Sequence, residues 1–307
     1  MSKFAIVFPG QGSQAIGMLA ELAQQFESVN HTFSEASDAL GYDLWSLIQD
    51  GPVEDLNQTF RTQPALLAAS VAIWRVWNEQ GLAQPTMIAG HSLGEYSALV
   101  CAGVIDFKEA LKLVELRGQL MQQAVPAGVG AMYAIIGLDN EAITKACEQA
   151  AQGEVVSPVN FNSPGQVVIA GNKDAVERAG ILCKEAGAKR ALPLPVSVPS
   201  HCALMQPAAD MLAEKLTELT FNTPNIAVIN NVDVIAETDP ELIKQALVRQ
   251  LYSPVRWTEI VEKMAADGVE QLFEMGPGKV LTGLTKRIER SLSAAAVNDP
   301  AGLAAAK

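Results

Sequence analysis

The chain has 307 residues, 49% of them apolar, enough to bury the core of one large domain or two unequal ones. Its 34 acidic against 22 basic residues give a formal net charge of −12, which argues against nucleic acid or an anionic membrane as the main partner. Four scattered cysteines (Cys101, Cys147, Cys183, Cys202) include no Cys-x-x-Cys pair, suggesting neither a disulfide framework nor a zinc site, and no run of about 18 apolar residues marks a membrane span. Met1-Ser2-Lys3 leads into a strand without a basic-then-apolar leader, so a soluble protein of the reducing cytoplasm is expected.

Residues 4–8 are a continuous apolar run, hence a strand covered on both faces, and they end in the loop Pro9-Gly10-Gln11-Gly12-Ser13-Gln14. The glycines around Gln11 let backbone N–H groups face a site. A dinucleotide fingerprint is disfavoured, because the third glycine is Gly17 and no acid ends a strand about 20 residues on. The loop is either a strand-ending turn or the source of an oxyanion donor. Residues 15–60 read as helical and polar-faced, with Gly41 and Gly51-Pro52 as punctuation and His31 as a solvated helix residue. Thr62-Gln63-Pro64-Ala65 opens a long helix through Trp77, with Pro64 in its first turn; Gln63 then caps the helix or enters a pocket, capping being the simpler reading.

Residues 86–89 are a short buried strand, and from Leu93 the apolar spacing becomes helical, so Ser92 of Gly90-His91-Ser92-Leu93-Gly94 sits on the turn between. Gly-x-Ser-x-Gly in a strand–turn–helix context is a nucleophile elbow: the turn strains the serine backbone, and side chains on the flanking glycines would collide. The N–H groups of Ser92 and Leu93 start the helix, where unpaired donors and the dipole favour an oxyanion. Asp106 then N-caps a helix over 107–124 with a broad apolar arc. Arg117 falls inside that arc. A buried guanidinium needs an anion, either a structural carboxylate or the carboxylate of a ligand.

Pro126-Ala127-Gly128 begins a new rhythm: strand 131–136, helix 140–151, strands 155–160 and 166–170, helix 174–186, strand 190–194. This β-α-β-β-α-β order matches a small ferredoxin-like unit. The expected fold is α/β: a larger hydrolase-like parallel-sheet domain (1–126 and 196–307) with an inserted small ferredoxin-like subdomain (127–195). Asn160 and Asn162 belong to the turn between the middle strands, and either form that turn or line a cleft between the domains. The prolines of Pro195-Val196-Ser197-Val198-Pro199-Ser200-His201 hold the chain extended and leave His201 at the start of a helix over 203–219. Strand 226–229, followed by Asn230-Asn231, helices 239–251 and 256–266, strand 269–274 and helix 280–292 restore the α/β alternation; Asn231 joins Asn160 and Asn162 as a candidate substrate contact. Beyond Ser293 the alanine-rich tail reads as frayed.

A serine needs a base, and histidine has the suitable pKa. Of three histidines, His31 lies on a polar helix and His91 leaves the elbow on another side, so His201 is the candidate, against the alternative of a structural histidine. No aspartate stands out as a third member; a main-chain carbonyl orients a ring equally well.

Taken together, Pro9–Gln14, Gln63-Pro64-Ala65, Gly90 through Ser97, Arg117, Pro199-Ser200-His201 and Gly276-Pro277-Gly278-Lys279 resemble the bacterial malonyl-CoA:acyl carrier protein transacylases of fatty acid synthesis, from about Phe4 to Leu292. The resemblance implies an acylated Ser92, His201 as its base, backbone N–H groups of Gln11 and Leu93 as the oxyanion hole, and Arg117, helped by Gln63, as partner of the malonyl carboxylate. It also implies a backbone carbonyl of Gln250 orienting His201, malonyl-CoA and acyl carrier protein as partners, and a coenzyme A thioester as substrate with no cofactor or metal. Ser200 replaces the aromatic residue that related modular-synthase domains often carry before the base, so the malonyl reading rests on Arg117. A serine hydrolase shares the elbow chemistry, and a non-catalytic coenzyme A or carrier-protein module is the third alternative. Lys189, Arg190, Lys279, Lys286, Arg287 and Arg290 are either a basic surface for an acidic carrier protein or merely solvated.

Overall fold

The computed structural model describes residues 3–196 and 198–307; Met1, Ser2 and Ser197, the last within the expected extended run, lie outside the described residues. Among the described residues nine strands form two sheets: β1 (Phe4–Phe8), β2 (Met87–Gly90), β3 (Gly130–Ile136), β4 (Val156–Ser163), β5 (Gln166–Asn172), β6 (Arg190–Pro193), β7 (Ala227–Ile229), β8 (Gln271–Met275) and β9 (Ser293–Val297). The first sheet is wholly parallel, in the order β7-β2-β1-β8-β9, and the second antiparallel, in the order β4-β5-β3-β6. The second order, with helices Asn140–Ala151 and Lys173–Glu185 as crossovers, is that of a ferredoxin-like unit. The expected α/β class is the one observed.

β1 shows why the parallel sheet lies in the interior. Ile6 and Phe8 enter a core built with helix Thr59–Glu79 and helix Phe107–Ala124, whereas Ala5 and Val7 enter a second core with helices Trp257–Ala266 and Val280–Ile288. Side chains alternate across a strand, so a strand apolar at every position must be covered on both sides. In the antiparallel sheet, Ile135, Val167 and Ile169 pack under its two helices, while Met132, Val168 and Ala170 turn to the opposite face and meet Cys202. That face looks onto the segment that carries His201.

Four local expectations need correction. The long helix begins at Thr59, so Gln63 and Pro64 lie within it and Gln63 caps nothing. Asn160 and Asn162 belong to β4 rather than to the turn, because irregular pairing with β5 between Pro158 and Ser163 carries the strand past the expected stop. The helix expected over 203–219 is a 3₁₀ turn (Ala203–Met205) followed by helix Gln206–Thr217. The tail is ordered. β9 extends the parallel sheet beside β8, Asp299 caps helix Pro300–Ala305, and Val297 and Leu303 are buried in the main core. Alanines suit the edge strand because three of them pack flat while Val297 fills the core. Leu303→Ala should therefore lower the unfolding free energy by about 2–5 kcal/mol in urea titration, where a frayed tail would lose less than about 0.5 kcal/mol.

Candidate active site

Ser92 closes the turn between β2 and helix Leu93–Cys101 at φ 52° and ψ −110°, a left-handed conformation that a non-glycine residue adopts only when its surroundings enforce it. The enforcement is visible in the glycines: a Cβ on Gly90 would lie 1.8 Å from the Gly94 carbonyl carbon, and one on Gly94 would lie 2.1 Å from the Phe8 oxygen. The elbow is thus pressed against itself and against the end of β1. His201 is held at φ 65°, with its N–H donating to the Leu251 carbonyl at 3.0 Å.

These two strained residues meet. Ser92 Oγ lies 2.8 Å from His201 Nε2, and His201 Nδ1 lies 2.7 Å from the Gln250 carbonyl oxygen. A carbonyl only accepts, so Nδ1 carries the ring proton and Nε2 offers its lone pair to the Ser92 hydroxyl. Gln250 ends helix Pro240–Gln250, where the final carbonyls have no intrahelical donor and the dipole is negative. A helix end therefore does what an aspartate does elsewhere. Burial and the nearby Arg117 charge push His201 down to about 3, which keeps the free imidazole neutral.

Arg117 projects from helix Phe107–Ala124 and is wholly buried. Its Nη1 donates to Gln63 Oε1 at 2.8 Å and its Nη2 to Gln250 Oε1 at 3.0 Å, with Ser92 Oγ 3.4 Å from Nη2. The guanidinium lies over the Tyr96 ring at 5.3 Å, its Nε has no partner, and no carboxylate bonds to it among the described residues. Of the two sources of anion open from the sequence, the internal carboxylate contact is absent.

The pocket above Ser92 is lined by Gln11, Leu93, Arg117, Met121 and His201 from the larger unit and by Met132, Asn160 and Leu194 from the smaller. The backbone N–H groups of Gln11 and Leu93 have no intramolecular acceptor among the described residues. The Ser92 N–H, expected to share in an oxyanion site, instead donates to Asn231 Oδ1 at 2.8 Å. Asn231, expected as a substrate contact, does not line the pocket. It is fully buried, its Nδ2 donates to the Gly90 carbonyl at 2.7 Å, and it braces the elbow from behind. Asn160 reaches the pocket with its Oδ1 unpartnered, whereas Asn162 Oδ1 lies 2.8 Å from His91 Nε2 and serves that ring. Burial lowers the His91 pKa, and its contact with Asn162 keeps it off the Ser92 hydroxyl. His31 is exposed beside Glu27. The six basic residues from Lys189 to Arg290 are all exposed, with Arg287 donating to Gln166.

Two functional side chains escaped the sequence reading. Glu95, one turn after Ser92, is buried, and its Oε2 accepts from the Asn231 N–H at 3.0 Å and from Gln250 Nε2 at 2.8 Å. The Gln250 side chain thus joins Glu95 to Arg117, with a further bond to the Ser92 carbonyl at 3.0 Å. The signal existed: each is a polar residue set in an apolar stripe, Gln250 with Ile243, Ala246 and Leu247, and Glu95 among Leu93, Tyr96 and Leu99.

A serine raised on an elbow, a histidine held by a helix end and two idle N–H donors define a serine–histidine acyl-transfer site, and the acyl transferase domain family matches residues 5–303. Malonyl CoA-acyl carrier protein transacylase of Escherichia coli (strain K12) is 69% identical over 306 residues, covering 100% of this chain and 99% of its own length. The protein of that name from Bacillus subtilis (strain 168) is 48% identical over 301 residues, covering 98% and 95%. The crystal structure of an acyl carrier protein S-malonyltransferase from Vibrio cholerae O1 biovar eltor superposes with a TM-score of 0.98 at 80% identity, covering 100% of both chains. A malonyl-transacylase in complex with its type II PKS acyl-carrier protein gives a TM-score of 0.99 at 70% identity, covering 99% of each. The chain belongs to the malonyl CoA-acyl carrier protein transacylases.

With the unfolded histidine value near 6.5, a His201 held at about 3 stays unprotonated as the pH falls through 6.5. Ring-nitrogen NMR at pH 5 should therefore show His201 neutral with the proton on Nδ1; a doubly protonated His201 at that pH would refute the assignment.

Proposed function

We propose that the chain moves a malonyl group from coenzyme A to the phosphopantetheine thiol of acyl carrier protein in fatty acid synthesis, through a malonyl ester of Ser92. The observation that carries the assignment of residues is the buried Arg117 guanidinium, facing the Ser92 hydroxyl without a carboxylate of its own. Ser92 Oγ attacks the thioester carbonyl as its proton passes to His201 Nε2, and the developing oxyanion is taken by the Gln11 and Leu93 N–H groups. Collapse breaks the carbon–sulfur bond, and the departing thiolate recovers the proton from His201. The carrier thiol then gives its proton to His201, attacks the ester, and expels Ser92, which regains the proton.

Each oxyanion donor contributes about 2.7–4 kcal/mol to the barrier reduction. The Gln250 carbonyl, at a helix C-terminus, steadies the imidazolium that forms in both halves. Arg117 pairs with the free malonyl carboxylate, Gln63 fixes the guanidinium from behind, and Asn160 reaches the acyl group from the small unit. On this reading the boundary between 127–195 and the rest of the chain makes the pocket an interdomain cleft. The coenzyme A thioester is a substrate, and the scheme calls on side chains, backbone N–H groups and the Gln250 carbonyl. Among the described residues no helix is long and apolar enough to cross a membrane, and we place the reaction in the cytoplasm with its carrier protein.

Incubation with malonyl-CoA should add one malonyl group to the peptide containing Ser92, and Ser92→Ala should abolish it in mass spectrometry. Removing one partner of a buried charge pair costs about 2–5 kcal/mol, so Arg117→Ala should lower malonyl transfer about 30-fold to several thousand-fold while neutral acyl groups still load. An unchanged malonyl preference in a competition assay would overturn the role of Arg117.

A further inference from the structure

Arg117 is a buried cation with neutral partners, and the nearest fully buried acid, Glu95, reaches it through one amide: Gln250 Oε1 accepts from Arg117 at 3.0 Å, and Gln250 Nε2 donates to Glu95 Oε2 at 2.8 Å. The chain carboxylate–amide–guanidinium lets charge at one end be felt at the other, because an amide is polarised along its own dipole. A malonyl carboxylate arriving at Arg117 would leave the enclosed cluster with two anions and one cation. We propose that Glu95 is the reserve counter-ion of Arg117, anionic while the acyl site is empty and protonated once a malonyl carboxylate occupies it. This rests on the reading of Arg117 given above. One proton passes from solvent to Glu95 for each malonyl group gained, so the charge of the cluster is the same before and after.

Several groups set the balance at Glu95. Burial pushes its carboxyl up to about 7, against bonds from Gln250 and Asn231 and the Arg117 charge, which favour the anion. Tyr96 follows it on the same helix, and His201 stays neutral. Asp233 and Arg249, from the chain beyond β7 and from helix Pro240–Gln250, face it from farther away but hold each other in a two-pronged pair at 2.6 and 2.7 Å. A small cavity walled by Glu95, Asn230 and half-buried Glu237 lies behind the carboxyl. Asn230 Nδ2 has no partner among the described residues, and the rest of the lining, Leu99, Val228, Ile243 and Ala246, is apolar.

The sign follows. Below about pH 7 Glu95 is protonated with or without malonyl, and above the still higher pKa that the malonyl anion gives it the carboxyl is anionic in both states, so uptake is confined to the window between these two values, from about neutrality upward. Calorimetry of malonyl-CoA loading in two buffers of unlike ionisation enthalpy reads the protons taken up per Ser92 adduct, the adduct being counted by mass spectrometry. We expect uptake approaching one proton per adduct in that window, and its loss in Glu95→Gln, which keeps an acceptor for Gln250 and Asn231. Any proton released by the freed coenzyme A thiol is common to both proteins and cancels. An adduct formed without uptake in the wild-type protein, or equal uptake by Glu95→Gln, would overturn the proposal; failure of the wild-type protein to form an adduct would instead defeat the reading of the site. Should Glu95→Gln not fold, an infrared difference spectrum of the wild-type protein with ¹³C-labelled malonyl must show a new unlabelled carboxylic acid band on loading, and its absence counts against the proposal.

Discussion

A buried guanidinium whose direct side-chain partners among the described residues are all neutral is the constraint around which the site is assembled. An unpaired buried charge costs several kcal/mol, and the fold offsets this with two side-chain amide oxygens, an aromatic face and an opening toward solvent. The arrangement ties selection to chemistry in one residue. Gln250 holds Arg117 with its side chain and His201 with its carbonyl, so on the proposed reading the group that reads the acyl charge and the group that moves the proton share a mount. Its helix ends where it does because Leu251 and the residues after it turn back to receive the His201 N–H.

Much of this was legible in the chain because the decisive features are local. The elbow is written in the fixed spacing of Gly90, Ser92 and Gly94, with a Cβ on Gly90 colliding four residues on at Gly94, and the βαββαβ rhythm is a matter of period and spacing. Arg117 announced itself by breaking an apolar stripe. What stayed illegible depends on contacts far apart in sequence. Asn231 lies 139 residues from the Ser92 N–H it accepts, and without that distance closed it looked like a spare polar group near a cleft. For the same reason the Ser92 N–H passed for a free donor. Gln63 was misplaced because Pro64 resembled a first-turn proline, although the helix tolerates it well inside, and the alanine tail looked frayed because its partner strand β8 is what orders it.

The two units divide the labour. The parallel sheet presents Ser92, and the His201 segment, pressed between the sheets through Cys202, brings the base. The smaller sheet contributes the apolar wall of Met132 and Leu194 and the single polar probe of Asn160. On the proposed reading, enclosure by that wall sharpens the selectivity of Arg117, since a charge screened from water interacts more strongly with the one anion that reaches it.

Because Asn231 occupies the Ser92 N–H, the two idle donors come from separate turns, one after β1 and one after β2. Those turns sit side by side only because Phe8 pairs with Gly90 in the parallel ladder. The spacing of the donors is therefore a reading of strand registry, as a caliper reads a gap. A chain whose first two strands met one residue out of step would set the two donors out of line and lose about 10²–10³ in rate. Correct pairing of β1 with β2 is therefore a condition of full activity.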